Sequence, residues 1–104
     1  MFKICDQKGF HVTFDNGYTV SVQFGPGNYS DNYDLHWSDY LGKPVPPSFT
    51  AETALIDPSG NFVEYDGDQV QGRQTAEDVL KLMNYAAGLG QYTEVLMIGN
   101  YYDC

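Results

Sequence analysis

Basic residues are scarce in this chain. Five Lys and Arg stand against 14 Asp and Glu in 104 residues, a formal net charge of −9. Every phosphate that a protein neutralises calls for a cation, so this balance argues against direct binding to nucleic acid or to an anionic membrane. Cysteine is scarce too: only Cys5 and Cys104, with no Cys-x-x-Cys pattern. The opening MFKICDQKGF is too short and too polar to read as an export or membrane segment. The expectation is a reduced, cytoplasmic protein with two free thiols, a terminus-to-terminus disulfide being the lesser alternative. Histidine is limited to His11 and His36, and neither falls in a Ser-His-Asp or Cys-His pattern. Each reads as an exposed or capped imidazole, and no catalytic residue, metal site or cofactor is expected.

What is plentiful is apolar and aromatic. Hydrophobic residues make up 42% of the chain and aromatics 15%, with nine Tyr and six Phe, enough for one modest core without help from disulfides or metal. Residues 1–104 therefore read as a single domain, with no internal repeat, linker or low-complexity tract.

Phe10, Val12 and Phe14 alternate with His11 and Thr13, and Tyr18, Val20, Val22 and Phe24 alternate with Thr19, Ser21 and Gln23. Both runs read as half-buried strands. A two-residue loop at Asn16-Gly17 would set Phe14 opposite Thr19 and mix the faces. A three-residue loop, Asp15-Asn16-Gly17, sets Val12 against Val20 and Phe10 against Val22, with Gly17 at positive φ, and is preferred. A short strand over 2–5 is expected before this hairpin. A second hairpin is expected over 52–57 and 61–65 around Pro58-Ser59-Gly60, with Leu55, Val63 and Tyr65 on one side and Ala54, Ile56 and Phe62 on the other.

From Thr75 the apolar period lengthens to that of a helix. Thr75 suits the N-cap, Glu77 and Asp78 the first turn, and Val79, Leu80, Met83 and Ala86 one apolar face, with Gly88 and Gly90 as the stop. A last strand is expected over 93–98. The fold class is α+β: an antiparallel sheet of about five or six strands with one helix, about 75–87, on one face. One helix cannot cover both faces. The other face must then be wrapped by the long 25–50 loop or buried against another molecule, which makes a homo-oligomer the expectation.

That loop, opening with FGPGNYSDNYDLHW, is where a site is expected. It holds four of the five prolines and the aromatics Tyr29, Tyr33, Trp37, Tyr40 and Phe49, a composition that suits an ordered loop packed on the sheet. FGPGNYS follows a strand as phosphate loops do, but it has no Lys and leads into no helical pattern. Its glycines permit close approach of a ligand to backbone N–H groups, and Tyr29, Tyr33 and Trp37 offer stacking surfaces. The candidate ligand-binding set is Gly25, Gly27, Asn28, Tyr29, Tyr33, Trp37, Lys43 and Arg73, the last two as anion anchors.

An alternative is an acidic face for a basic partner protein: Asp31, Asp34, Asp39, Glu52, Glu64, Asp66 and Asp68. Asp31, Asp34, His36 and Asp39 match the spacing of no metal loop. DPSGNFVEYDGD fails as a calcium loop, with Phe62 where the sharp turn is needed and Asp68 where a bidentate Glu is.

The runs KGFHVTFDNGYTVSVQFGPGNYSDN, AETALIDPSGNFV and VQGRQTAEDVLKLMNYAA together resemble a group of small accessory proteins encoded by tailed phages and prophages. The N-terminal run is the most specific, and the resemblance spans most of the chain. It carries no assigned catalytic residue. It implies a setting, the bacterial host cytoplasm, and a mode of action, stoichiometric binding that acts on host defence or host regulation without catalysis. The expected function is a non-catalytic module that sequesters a nucleotide-type signal or similar small ligand. The alternatives are an acidic decoy, DNA-mimic or anti-CRISPR-like, that occupies a nucleic-acid-binding host protein, and a small metal-dependent enzyme using His36 and its neighbouring acids.

Overall fold

Three tight turns, hydrogen-bonded alike, set the pairing of the sheet. The computed structural model describes residues 1–90, and the strand expected over 93–98 lies outside them. Phe14 N–H donates to Tyr18 O and Gly17 N–H to Phe14 O, both at 2.9 Å. Asp57 and Gly60 repeat this pattern with Asn61, and Cys5 and Lys8 repeat it with Gly9. Gly17 and Gly60 each take φ 88°, which a glycine adopts without strain. The first turn instead puts Asp6 and Gln7 at φ 52° and 58°, left-handed conformations that cost non-glycine residues about 1 kcal/mol each.

The strands so joined are β1 (Phe2–Ile4), β2 (Gly9–Thr13), β3 (Thr19–Gln23), β4 (Ala51–Ile56), β5 (Phe62–Val63) and β6 (Val70–Gln74). Among the described residues they form one antiparallel six-stranded sheet in the order β1-β2-β3-β4-β5, with β6 also on β4. The expected register holds: Val12 faces Val20 and Phe10 faces Val22. β5 and β6 follow one another along β4, Val63 opposite Leu55 and Val70 opposite Ala54. Between them Asp66 and Gly67 turn the chain at φ 53° and 86°, the paired positive dihedrals of a two-residue hairpin.

The helix α1 (Ala76–Ala87) starts on a capping box. Thr75 Oγ1 accepts from Asp78 N–H at 3.2 Å, and the Asp78 carboxylate accepts from Thr75 N–H at 3.0 Å. Leu82 and Ala86 are fully buried, with Val79 and Met83 packed beside them. The expected apolar face needs one correction. Leu80 is 58% exposed, because the stripe runs 79, 82, 83, 86, the i, i+3, i+4, i+7 rows of one face, and Leu80 falls outside it. This stripe meets Val20, Val22, Ala51 and Leu55, with Phe10, Phe24 and Val63 around them. Burying a Leu at this position stabilises by about 2 kcal/mol.

The opposite face of the sheet corrects two expectations. His11, Thr13, Thr19, Ser21, Gln23, Ala54 and Ile56 are all buried within the chain, so β2 and β3 are covered on both sides, not half-buried. An open face therefore no longer argues for a second copy. Of the two readings of His11, exposed or capped, its 4% exposure excludes the first; burial, and then the charge of Lys3, hold its pKa below the ordinary value. Cys5 is likewise not a free thiol but disulfide-bonded. The chain's other cysteine, Cys104, lies outside the described residues.

Candidate functional site

The 25–50 loop holds its shape through short polar side chains bonded to backbone. The buried Asn32 donates from Nδ2 to Phe24 O and to Pro46 O, both at 2.8 Å, tying the loop's start to its end. Asp31 accepts from Phe49 N–H at 2.9 Å and from the Thr50 hydroxyl at 2.8 Å. These two donors, joined by the nearby charge of Arg73, hold its carboxyl below the usual carboxylate range. Glu52, on β4, accepts from Asn28 Nδ2 at 3.3 Å and from Tyr29 N–H at 3.0 Å. Trp37–Tyr40 forms a single 3-10 turn.

The candidate ligand set divides into residues that hold this loop and residues that it presents. Gly25 is buried and its N–H donates to Asn28 Oδ1 at 3.0 Å; the Gly27 N–H donates to Tyr33 O at 3.1 Å. Both amides are engaged within the loop. Arg73 sits in β6 at φ 51°, where the register with β4 shifts. There its N–H turns to Tyr29 O at 2.8 Å and its Nη1 to Ser30 O at 3.1 Å. Tyr29 lies over Gly72, whose α-carbon has no room for a side chain: a Cβ there would come within 2.9 Å of the Tyr29 Cβ. Tyr29 and Tyr33 stack on each other, ring centroids 5.3 Å apart and planes 5° from parallel. The structure thus brings Tyr29, Tyr33 and Arg73 into one neighbourhood, with one face of each ring covered by the other.

Trp37 is elsewhere. It is 68% exposed and lines a cleft of about 250 Å³ together with Asp6, Lys8, Pro26, Tyr40 and Leu41. Tyr29, Tyr33, Lys43 and Arg73 are not in this lining. One wall is the strained β1–β2 turn, clasped to the loop by Gln7 Nε2 to Gly42 O and by Val45 N–H to Gln7 O, each 3.3 Å. Lys8 reaches the cleft because its stem crosses Gly25, where an added Cβ would lie 2.7 Å from the Lys8 Cβ. The arrangement offers an indole face, a phenol, one cation and one carboxylate. Sequence reasoning missed Asp6, Lys8, Pro26 and Leu41. The turn before Gly9 was the only local signal that could have placed Lys8, and nothing local ties it to a residue 29 positions on.

The acids do not behave as one set. Asp31 and Glu52 brace the loop, whereas Asp34, Asp39, Glu64, Asp66 and Asp68 are exposed. Asp31, Asp34, His36 and Asp39 do not converge: among the described residues, no group of three or more His, Cys, Asp or Glu is placed to hold a metal ion. Nor, among them, is any helix long and apolar enough to cross a membrane. These features define a small α+β domain with an aromatic cleft at one end of its sheet. No family model matches the sequence, and no curated protein or solved structure is significantly similar to it.

Proposed function

We propose that this domain is a non-catalytic binding module whose ligand is a small, planar, anionic molecule of nucleotide type, held in the cleft between Trp37 and Lys8. The observation that carries this reading is the exposed indole beside a cation in a preformed concavity. A ring stacks on Trp37, with Tyr40 beside it; the Lys8 ammonium pairs with a phosphate; and the Asp6 carboxylate accepts from an N–H or O–H on the ligand. In a protein of net charge −9 an anion is repelled at long range, so a local cation is what such a site needs. The distant acids are screened beyond about 8–10 Å at physiological salt. The anion anchor is thus Lys8, in place of Lys43 or Arg73. The resemblance to small phage and prophage proteins supplies the setting: sequestering a nucleotide signal would blunt a host defence that depends on it.

A DNA-mimicking decoy has less behind it, since Glu52, one of the acids of its expected face, is turned to Asn28 Nδ2 and Tyr29 N–H of the loop. A metal-dependent enzyme lacks a ligand cluster among the described residues.

Titration calorimetry against cyclic and linear nucleotides tests the proposal. Stacking is worth about 1–3 kcal/mol per base, so Trp37→Ala should weaken binding by roughly 5- to 150-fold. Lys8→Ala should weaken it comparably, and more at low salt. Binding of no nucleotide by the wild type, or unchanged affinity in both variants, would refute it.

A further inference from the structure

A second concavity lies away from the cleft, where the end of the long loop meets the start of α1. It measures about 240 Å³, and Phe10, Val22, Phe24, Ala51 and Val79 make it largely apolar, with Phe49 and Ala76 at its lip. Phe49 is 92% exposed. It is also firmly placed: its N–H is bound to Asp31 at 2.9 Å, while the flanking Ser48 hydroxyl donates to Thr50 O at 2.6 Å and the Thr50 hydroxyl to Asp31 at 2.8 Å. An aromatic ring held in water by its own backbone, beside an apolar hollow, is the form of an anchor point for a partner.

We propose that this groove takes one apolar side chain of a partner protein, presented by a segment whose flanking residues are basic. The lining argues for an apolar side chain, because Phe10, Val22, Phe24, Ala51 and Val79 wall the hollow and no Lys or Arg lines it to hold an anionic ligand. Charge argues for basic flanks. Asp31 is bound to the lip residue Phe49, and Glu77 and Asp78 follow Ala76 directly in the first turn of α1. Asp31 and Asp78 both have carboxyls held below the usual range, first by hydrogen bonds and then by the charges of Arg73 and Lys81, so they stay charged at neutral pH, and with Glu77 the acids here outnumber those two cations. A second copy of this chain would bring the same acids and a charge of −9 to the same place, and a fatty acid or anionic lipid would be repelled. A basic segment gains at both its anchor and its flanks.

The probe is a fluorescent heptapeptide with central Phe flanked by three Lys or Arg on each side. It is compared with a version carrying Gly at the centre and one carrying Glu in the flanks. The Phe peptide should bind about tenfold or more tightly than the Gly peptide, as expected for loss of an anchoring side chain, and added salt should weaken it. The Glu-flanked peptide should not bind. Phe49→Ala and Ala76→Arg, both at exposed positions and checked for unchanged melting, should each weaken the Phe peptide. Equal binding of Phe and Gly peptides, binding of the Glu-flanked one, no binding at all, or full affinity in Phe49→Ala would overturn the proposal. So would a dimer in sedimentation that Phe49→Ala abolishes, which would make a second copy the occupant.

Discussion

Asn16 joins the first hairpin to the far end of the helix, and removing its side chain tests how the two are coupled. Its Nδ2 donates to Ala86 O at 2.7 Å and to Leu89 O at 3.2 Å, while its Oδ1 accepts from Tyr18 N–H at 3.0 Å. One side chain therefore caps the carbonyl end of α1 and fixes the loop that sets the register of β2 on β3. A hydrogen bond contributes about 1 kcal/mol net. Two considerations lower the sum for three: Leu89 N–H still reaches Ala86 O at 3.3 Å, and the half-buried site admits water to the rest. Asn16→Ala is therefore expected to cost about 2 kcal/mol, which lowers the melting temperature of a domain near 100 residues by about 10 °C. Asn16→Asp is the sharper variant. It keeps the acceptor for Tyr18 but turns an oxygen towards two carbonyls and adds negative charge at the negative end of the helix dipole, so it should be at least as unstable as the alanine. Urea unfolding followed by circular dichroism measures both. A cost below about 0.5 kcal/mol for Asn16→Ala, or an Asn16→Asp protein more stable than Asn16→Ala, would refute the coupling.

Two further outcomes follow from burial. Leu82→Ala should cost about 2–5 kcal/mol by opening a cavity in the core, while Leu80→Ala, two residues away and exposed, should stay within about 0.5 kcal/mol of wild type; similar losses at both would mean that the helix faces the sheet differently. Buried His11 has its folded pKa below the ordinary 6.5, so the unfolded chain takes up a proton that the folded chain resists. Stability from this residue is complete above pH 6.5 and falls as the pH drops from there towards the folded value. Unfolding free energies of His11→Gln should lack that slope, and an equal slope in the variant would assign it to other groups.

Where local chemistry decides structure, the sequence was legible. The Asp15-Asn16-Gly17 loop, its register, the Pro58-Ser59-Gly60 turn and the Thr75 cap all depend on residues within four positions of one another. β6 was not foreseen because VQGRQ has no apolar alternation, and it contains Gly72 and a left-handed Arg73. Its place is set by the free edge of β4, a tertiary fact. Even so, Asp66-Gly67 just ahead of it was a readable hairpin signal. The second face of the sheet was misjudged for a related reason. A run of His, Thr, Ser and Gln alternating with Val looks half-exposed, and only the folded chain shows that these polar side chains are covered.

The candidate site was harder to read because holding a loop and holding a ligand use the same chemistry. An amide or carboxylate that caps a backbone N–H is indistinguishable, in sequence, from one waiting for a substrate. Asn28, Asp31 and Glu52 drew notice as ligand or partner contacts, yet each closes a bond that a strand or helix would otherwise have made. A loop without regular structure must satisfy its backbone somehow, and this one recruits acids and amides to do it. The Gly25-Pro26-Gly27 break lets the chain leave β3 and fold back under Asn32 and Glu52. With that framework complete, the side chains of Trp37 and Tyr40 on one side and of Lys8 across from them are left lining the cleft.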